Sequence, residues 1–396
     1  MSMNADVINQ IKPLPSEDKL HDEQLSAYET AFTQHRTLWQ EILEENAARM
    51  NAGSYSLHWM ETDGIKWGRK IKPSSRGMTY QDINKSPNTG EVPTMATWKN
   101  FTPRGGIREP YKDRFPEVKD YDVLNKHELW ADNVETLYEE AKARQWNATR
   151  DIPWADVEKL PDDLQKATNQ LATFLTEVEF VAGDFPAKWM YRIPQDFLEV
   201  KSFLATQIMD EARHQEVFRK RAISGGGILH ASPGFEWALQ AIMEAPTHTM
   251  GTFLLNLLGE GLVLSIFRSG EMIAKTHVDK EIFRLCLQDE ARHVSYGVMQ
   301  FKNFIDNSPD KEKAIADLHR FADVGEMVIL SSFSEAALVE PLAILLGGGL
   351  KKIDHGMDGM ATLWKMSVEE YLARCERAGF DRRAQCKIPV DAPWTH

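Results

Sequence analysis

At 396 residues the chain is long enough for a large buried core, and 42% hydrophobic with 27% charged residues are ordinary values for a folded, water-facing protein. Lysine and arginine number 46 against 59 acidic residues; the net charge of −13 argues against a phosphate-binding surface and so against a nucleic-acid partner. The most apolar stretch, near 327–350, is interrupted by Ser, Glu, Pro and Gly short of the roughly 20 residues a bilayer requires, so no membrane partner is expected.

The N-terminal run MSMNADVINQIKPLPSEDKL has no apolar signal core, and cytoplasmic residence is the expectation. The cysteines Cys286, Cys375 and Cys386 are odd in number and lack CxxC spacing, which suggests neither a disulfide framework nor a thiolate zinc site. A metal here would be held by oxygen and nitrogen.

In chain order, residues 18–50 interleave acidic and apolar positions as a helix does. Residues 51–125 change to Gly, Pro, Ser, Asn and Thr with isolated aromatics (Trp59, Trp67, Tyr80, Trp98, Phe101), which reads as an ordered irregular arm whose aromatics need cover. A short helix is predicted near 128–146, and residues 141–154 lead into the main body. From Asp162-Asp163, suited to a first helical turn, to about 306 the text is almost continuously helical, with breaks near Ile193-Pro194, Gly225-Gly226-Gly227 and Thr276-His277. A long helix at 310–346, stopped by Gly347-Gly348-Gly349, and another near 357–378 complete the chain. The fold class is all-α, with an N-terminal helix and wrapping arm over 1–160, a four-helix bundle over 161–306, and C-terminal helices over 307–396 packing on it, together one structural domain.

Within the bundle region one phrase occurs twice: Asp210-Glu211-Ala212-Arg213-His214 and Asp289-Glu290-Ala291-Arg292-His293. A Glu three residues before a His puts both side chains on one helical face, and two such helices offer ligands for two metal ions. Each of the other two helices must add a carboxylate. In the run Thr252–Phe267, Glu260 is the only charge, and a lone carboxylate in such a helix is expensive unless paired or metal-bound. On the first helix Glu177 and Glu179 compete. The apolar stripe through Leu164, Leu171, Leu175, Val178, Ala182, Phe185 and Trp189 lies roughly 65° from Glu179 and roughly 135° from Glu177, which favours Glu179. Glu179 precedes Glu211 by 32 residues and Glu260 precedes Glu290 by 30, so each antiparallel hairpin can bring its carboxylates level. The candidate catalytic and metal-ligating set is Glu179, Glu211, His214, Glu260, Glu290 and His293. Four carboxylates with two imidazoles suit two iron ions (Fe2+/Fe3+), with manganese the other fitting ion. Asp210 and Asp289 read either as acceptors of the second N–H of the histidine on the opposite hairpin, with Arg213 and Arg292 as their counter-charges, or as plain surface carboxylates.

These residues resemble the ferritin-like di-iron carboxylate superfamily, and within it the hydroxylase subunits of bacterial multicomponent monooxygenases and related single-subunit oxygenases, whose ExxH is written DEARH, DEIRH or DELRH. Glu179-Phe180-Val181-Ala182 is similar to their Glu-Tyr-x-Ala pattern. The resemblance covers roughly 162–306. Two positions depart from it. Phe218 stands where the ribonucleotide reductase small subunit has its radical tyrosine, and Leu264, followed by Ser265, stands where the hydroxylases usually have a threonine. Tyr296 lies one turn beyond His293, within reach of the site or in the core.

The resemblance implies a di-iron monooxygenase that uses O2 to hydroxylate, epoxidise or N-oxygenate an apolar, aromatic or acyl small molecule. Phe203, Leu204, Ile208, Phe218, Phe253, Leu257 and Phe267 are expected to line its cavity. Neither flavin nor nicotinamide nor iron–sulfur motifs are visible, so electrons are expected from an external reductase or ferredoxin. The alternative is an iron-oxidising or iron-binding protein of ferritin or rubrerythrin type, which is usually little more than the bundle. The N-terminal arm and the apolar helix near 327–346 admit a homodimer.

Overall fold

The computed structural model describes residues 24–27, 29–30, 36–54, 72–84, 92–96, 121–227, 233–332 and 335–393. The chain forms two compact units, one of Met1–Trp67 with Arg108–Pro116 and one of Gly68–Ile107 with Glu117–His396. The first contains helix α1 (Arg36–Asn51). Of the five aromatics singled out in the arm, Trp59, Trp67, Trp98 and Phe101 lie outside the described residues. Tyr80 begins the short helix α2 (Tyr80–Asn84) in the second unit and its hydroxyl meets that of Ser202 at 3.2 Å.

The second unit is all-α; among the described residues there is no strand, only two isolated bridges. After α3 (Val134–Ala143) comes α4 (Asp162–Met190), which starts behind Pro161 with two aspartates in its first turn and ends ahead of Ile193-Pro194. Helix α5 (Leu198–Ser224) packs along α4. It stops at Gly225, where the Asn169 side chain donates to the carbonyl at 2.8 Å, and Gly226 continues at φ +122°, a conformation that favours glycine. Helix α6 (Pro233–Met243) then leads to α7, the stretch His248–Arg268, and α8 (His277–Asn307), whose start is fixed by a reciprocal cap between Thr276 and Asp279. The hairpins α4–α5 and α7–α8 meet through α5 and α8 as a four-helix bundle.

Three features differ from the sequence expectation. Helix α7 is apolar and long enough to cross a bilayer by length and composition, yet 89% of its apolar window is buried inside the protein, where it serves as a core helix. It is not a regular α-helix: Phe253–Gly259 is π-helical, and the Glu260 N–H reaches back five residues to Leu255. The single helix predicted at 310–346 is two, α9 (Lys311–Ser332) and α10 (Ala336–Gly347), which lets α9 pack on α6 and the π-helical stretch while α10 packs on α4.

Helix α11 (Ile353–Ala378) closes the unit against α10, α7 and α8. Its approach to α10 needs Gly356, where a Cβ would stand 1.8 Å from the Ala343 carbonyl oxygen. The tail beyond α11 is anchored by Arg382, fully buried, whose Nε donates to Glu326 at 2.8 Å beside the hydroxyl of Tyr371, also 2.8 Å from Glu326. A buried carboxylate with this many donors is well compensated.

Candidate metal centre

The two phrases face each other on α5 and α8, and the Glu and His of each are buried. Glu179 of α4, 2% exposed, joins them from one side, and Glu260 of α7 from the other. Ligand atoms of Glu179, Glu211, His214 and Glu290 all lie within 4.8 Å of one another, and so do those of Glu211, Glu260, Glu290 and His293. Two overlapping ligand groups sharing Glu211 and Glu290 can hold two metal ions. Glu177 lies outside both groups and is only half-buried. Gln170 and Thr173, two turns and one turn before Glu177 on the same side of α4, are buried, but Glu179 is the residue that joins the cluster.

The shared glutamates each present one oxygen to each histidine. Glu211 Oε2 stands 3.2 Å from His214 Nδ1 and its Oε1 2.8 Å from His293 Nδ1; Glu290 Oε1 and Oε2 stand 3.3 and 3.5 Å from the same two nitrogens. Both Nδ1 atoms therefore point into the carboxylate cluster. Each Nε2 points away, to the aspartate of the other phrase: His214 to Asp289 at 3.2 Å and His293 to Asp210 at 3.3 Å. An Nε2–H donated to a carboxylate leaves the Nδ1 lone pair free for a metal and fixes the ring plane. Arg213 Nη2 reaches Asp210 at 2.5 Å and Asp289 at 2.7 Å, while Arg292 Nη2 reaches Asp289 at 2.5 Å and Asp210 at 2.8 Å. Two arginines and two aspartates close a neutral square behind the histidines.

Charge and orphaned atoms test whether a metal pair fits. The four glutamates carry four negative charges in a volume without a lysine or arginine of its own, matching two divalent ions. Glu179 Oε1 and Glu290 Oε2 are buried without a hydrogen-bond partner, and Glu211 Oε1 and His293 Nδ1 face each other, an expensive arrangement unless a cation takes their lone pairs. Without the metal, burial and the neighbouring carboxylates drive the carboxyl groups of Glu179 and Glu260 well above the usual carboxylate range. Glu211, despite its burial, is held down to about 2 by the two histidines, which the surrounding carboxylates raise. The residues fit the metal pair.

The environments of the two outer carboxylates differ. Glu260 accepts the Gln207 amide on Oε1 at 2.9 Å and the Asn256 amide on Oε2 at 2.8 Å, and Asn256 also reaches Gln207 Oε1 at 3.3 Å. Arg374 of α11 donates Nε to the Leu257 carbonyl within the π-helical stretch at 3.2 Å, and Gly261 makes room for it, since a Cβ there would sit 2.5 Å from the guanidinium.

Sequence reasoning missed several contributors. Trp146 donates its indole N–H to Asp289 at 2.7 Å, lies parallel to His214 with centroids 6.4 Å apart, and carries Arg213 on its face at 4.7 Å. Gln145 accepts from Arg213 at 2.7 Å. Nothing local in residues 141–154 announces this, whereas Asn256, one turn before Glu260 in an otherwise apolar helix, was a readable signal. Tyr296 is a core residue whose hydroxyl donates to the Leu129 carbonyl at 2.7 Å. Phe218 packs between Phe267 and Phe283, and Ser265 donates to Glu370 at 2.6 Å.

A cavity of about 60 Å³, apolar apart from three carboxylates in its lining, reaches the cluster. Glu179, Glu260 and Glu290 line it; the histidines do not. Its walls are Phe174, Val178 and Ala182 of α4, Ile242 of α6, Leu258 and Val263 of α7, and Val328 of α9. The apolar residues expected there, Phe203, Leu204, Ile208, Phe218, Phe253, Leu257 and Phe267, do not line it. Phe203 instead packs at a tilt on Tyr296 at 4.8 Å and Phe253 meets Phe301 edge-on at 5.6 Å, filling the seams between helices.

No family model matches the chain, and no curated protein matches it. Solved structures do. Variants of an R2-like ligand-binding oxidase with an aerobically reconstituted Mn/Fe cofactor are 18–19% identical, at TM-scores of 0.48–0.49. The same kind of oxidase with a metal cofactor after photoconversion is 18% identical, at 0.49. Each alignment covers 61% of this chain and 92% of the other.

Proposed function

We propose that this chain is a di-iron oxygenase that inserts oxygen from O2 into an apolar organic molecule, with electrons from a separate reductase or ferredoxin. The observation that carries the reading is the apolar approach: an apolar cavity includes Glu179, Glu260 and Glu290 in its lining, while neither histidine nor the Asp–Arg square lines it. A storage or ferroxidase site fed with ferrous ions would call for a polar approach, and this approach is hydrocarbon. Iron suits the donors best, because hard oxygen ligands with two imidazoles favour iron or manganese, and of these iron is the better agent for O2 chemistry.

When bound, the metal pair would supply O2 activation and the oxidising power for the organic substrate. The protein's own contributions follow from its contacts. Glu211 and Glu290, each facing both histidines, would be shared between the two ions. Asp289 and Asp210 hold the Nε2 protons of His214 and His293, so neither ring can rotate away. Gln207 and Asn256 fix Glu260 with two amide donors, and the cavity walls exclude bulk water.

The test is anaerobic loading with Fe2+, metal analysis, and reaction with 18O2, a generic reductase and a panel of alkyl and aryl compounds. Two irons per chain and an 18O-labelled organic product are expected. Ferric iron accumulating with no labelled product, whatever the electron supply, would overturn the reading in favour of iron oxidation.

A further inference from the structure

A second, larger concavity of about 480 Å³ lies on the surface between α6 and α9. Ala241 and Val328 line both it and the inner cavity, so these two side chains stand at the boundary between solvent and the space that the glutamates line. Trp237 and Met327, 56% and 58% exposed, flank the outer side. Large apolar groups beside an opening into a hydrocarbon slot offer a landing surface for an apolar molecule. The charged residues lining this mouth are Glu244 and Asp323. Asp323 is bonded by the Arg382 guanidinium, whereas Glu244 accepts the Gln240 amide at 2.6 Å and, among the described residues, no cation. The lining of the mouth itself therefore carries two carboxylates and no base, with Arg382 and Lys387 behind Asp323 and Lys188 at the Met243 carbonyl.

We infer that the groove between α6 and α9 is the substrate entrance, that Ala241 and Val328 form its constriction, and that the molecule admitted is an apolar one with a neutral or amine end rather than a carboxylate. A carboxylate passing the exposed Glu244 meets like charge, while an ammonium is attracted and a hydroxyl tolerated. This inference rests on the reading of the inner cavity as the substrate site, and its test is independent of turnover.

Binding of Nile red to the full-length, metal-free protein is followed by fluorescence, with competition by decanol, decylamine and decanoate below their aggregation limits. The dye should bind, decanol and decylamine should displace it, and decanoate should compete at least tenfold more weakly. Ala241→Trp should weaken dye binding at least tenfold while two metal ions still bind. If that variant fails to fold, Ala241→Cys in a Cys386→Ser background can be plugged after folding with a bulky maleimide, since Cys286 and Cys375 are buried. Glu244→Lys should shift the preference toward decanoate. Undiminished dye binding by the plugged protein, or decanoate competing as well as decylamine, would overturn the proposal. A protein that binds the dye through this mouth yet oxygenates nothing would sink the oxygenase reading and leave the entrance standing.

Discussion

The two hairpins speak the same five-residue phrase, yet the helices that complete them are built differently. Helix α4 is regular as it passes Glu179, and Glu179 Oε1 is left without a partner. Helix α7 widens to a π-helix just before Glu260, and both oxygens of Glu260 are held by amides. An orphaned carboxylate is primed for a cation, whereas one tied to Gln207 and Asn256 must share its lone pairs. The pseudo-symmetric repeat thus supplies two ligand groups whose outer carboxylates differ in readiness: Glu179 leaves one oxygen unclaimed, and Glu260 has both oxygens tied to amides.

The largest effect that can break this comparison comes from the residues the two groups share. Glu211→Ala removes a ligand from both and should abolish stoichiometric metal binding, taking two ions per chain to none. Glu179→Ala removes a ligand from one group and should leave about one ion per chain. Metal analysis after gel filtration distinguishes them; equal losses would show that the two groups are not separable.

A second test concerns the end where the two unlike helices lock together. The ring of His248, in the first turn of α7, stacks on Phe185 of α4 at 6.2 Å and meets Trp189 edge-on at 5.7 Å. Burial lowers its pKa to about 4. The unfolded chain takes up a proton near pH 6.5 while the folded one resists until about 4, so this contribution is complete above pH 6.5 and is lost as pH falls toward 4. At about 1.4 kcal/mol per pH unit the full loss is about 3 kcal/mol. Urea melts of the metal-free protein at pH 7 and pH 4.5 should show His248→Phe less acid-sensitive than the parent by about 2–3 kcal/mol. Identical pH dependence would mean that the ring is not held neutral.

How much of this was legible in the sequence depended on the range of the interaction. The DEARH repeat and the isolation of Glu260 are local facts, and the crossed Asp–His pairs follow from a side chain's turn about a helix axis. The π-helical stretch is invisible to a 3.6-residue period, because the same apolar residues satisfy either winding, and the contact made to its backbone comes from Arg374, over a hundred residues away, reaching the Leu257 carbonyl. Trp146 enters from outside the bundle in the same way. The cavity was misplaced for a related reason. Every bundle helix has apolar residues near its ligands, and only the packing of α6 and α9 across α4 and α7 decides which of them face open space.

Asp289 and Asp210 offer a smaller, sharper comparison. Both hold a histidine Nε2 and both pair with the two arginines, but Asp289 also takes the Trp146 N–H at 2.7 Å, where Asp210 has only a long contact with Gln145 at 3.4 Å. Loss of such a supporting carboxylate typically costs 10–100-fold in metal affinity. Asp289→Asn should lie toward the upper end of that range, since it unsettles His214, and Asp210→Asn toward the lower.

The smallest effect sharpens the opening contrast most directly. Asn256→Leu removes one amide from Glu260 and frees Oε2, with no counterpart to delete around Glu179. Two consequences oppose each other. Freed of a competing donor, Glu260 becomes a better ligand, which should tighten the His293-side ion by a few-fold, since one hydrogen bond to a charged group contributes about 1.5–3 kcal/mol gross and the metal recovers part of it. Released from its tether, the carboxylate also samples more rotamers, which lowers the precision with which it faces the cavity. The expected outcome is therefore tighter metal binding together with slower oxygenation, measured as a chelator-competition midpoint and a turnover number on the same preparation. Weaker binding with slower turnover would mean that Asn256 supports the ligand geometry rather than competing with the metal, and the difference between the two halves would then be one of shape and not of readiness.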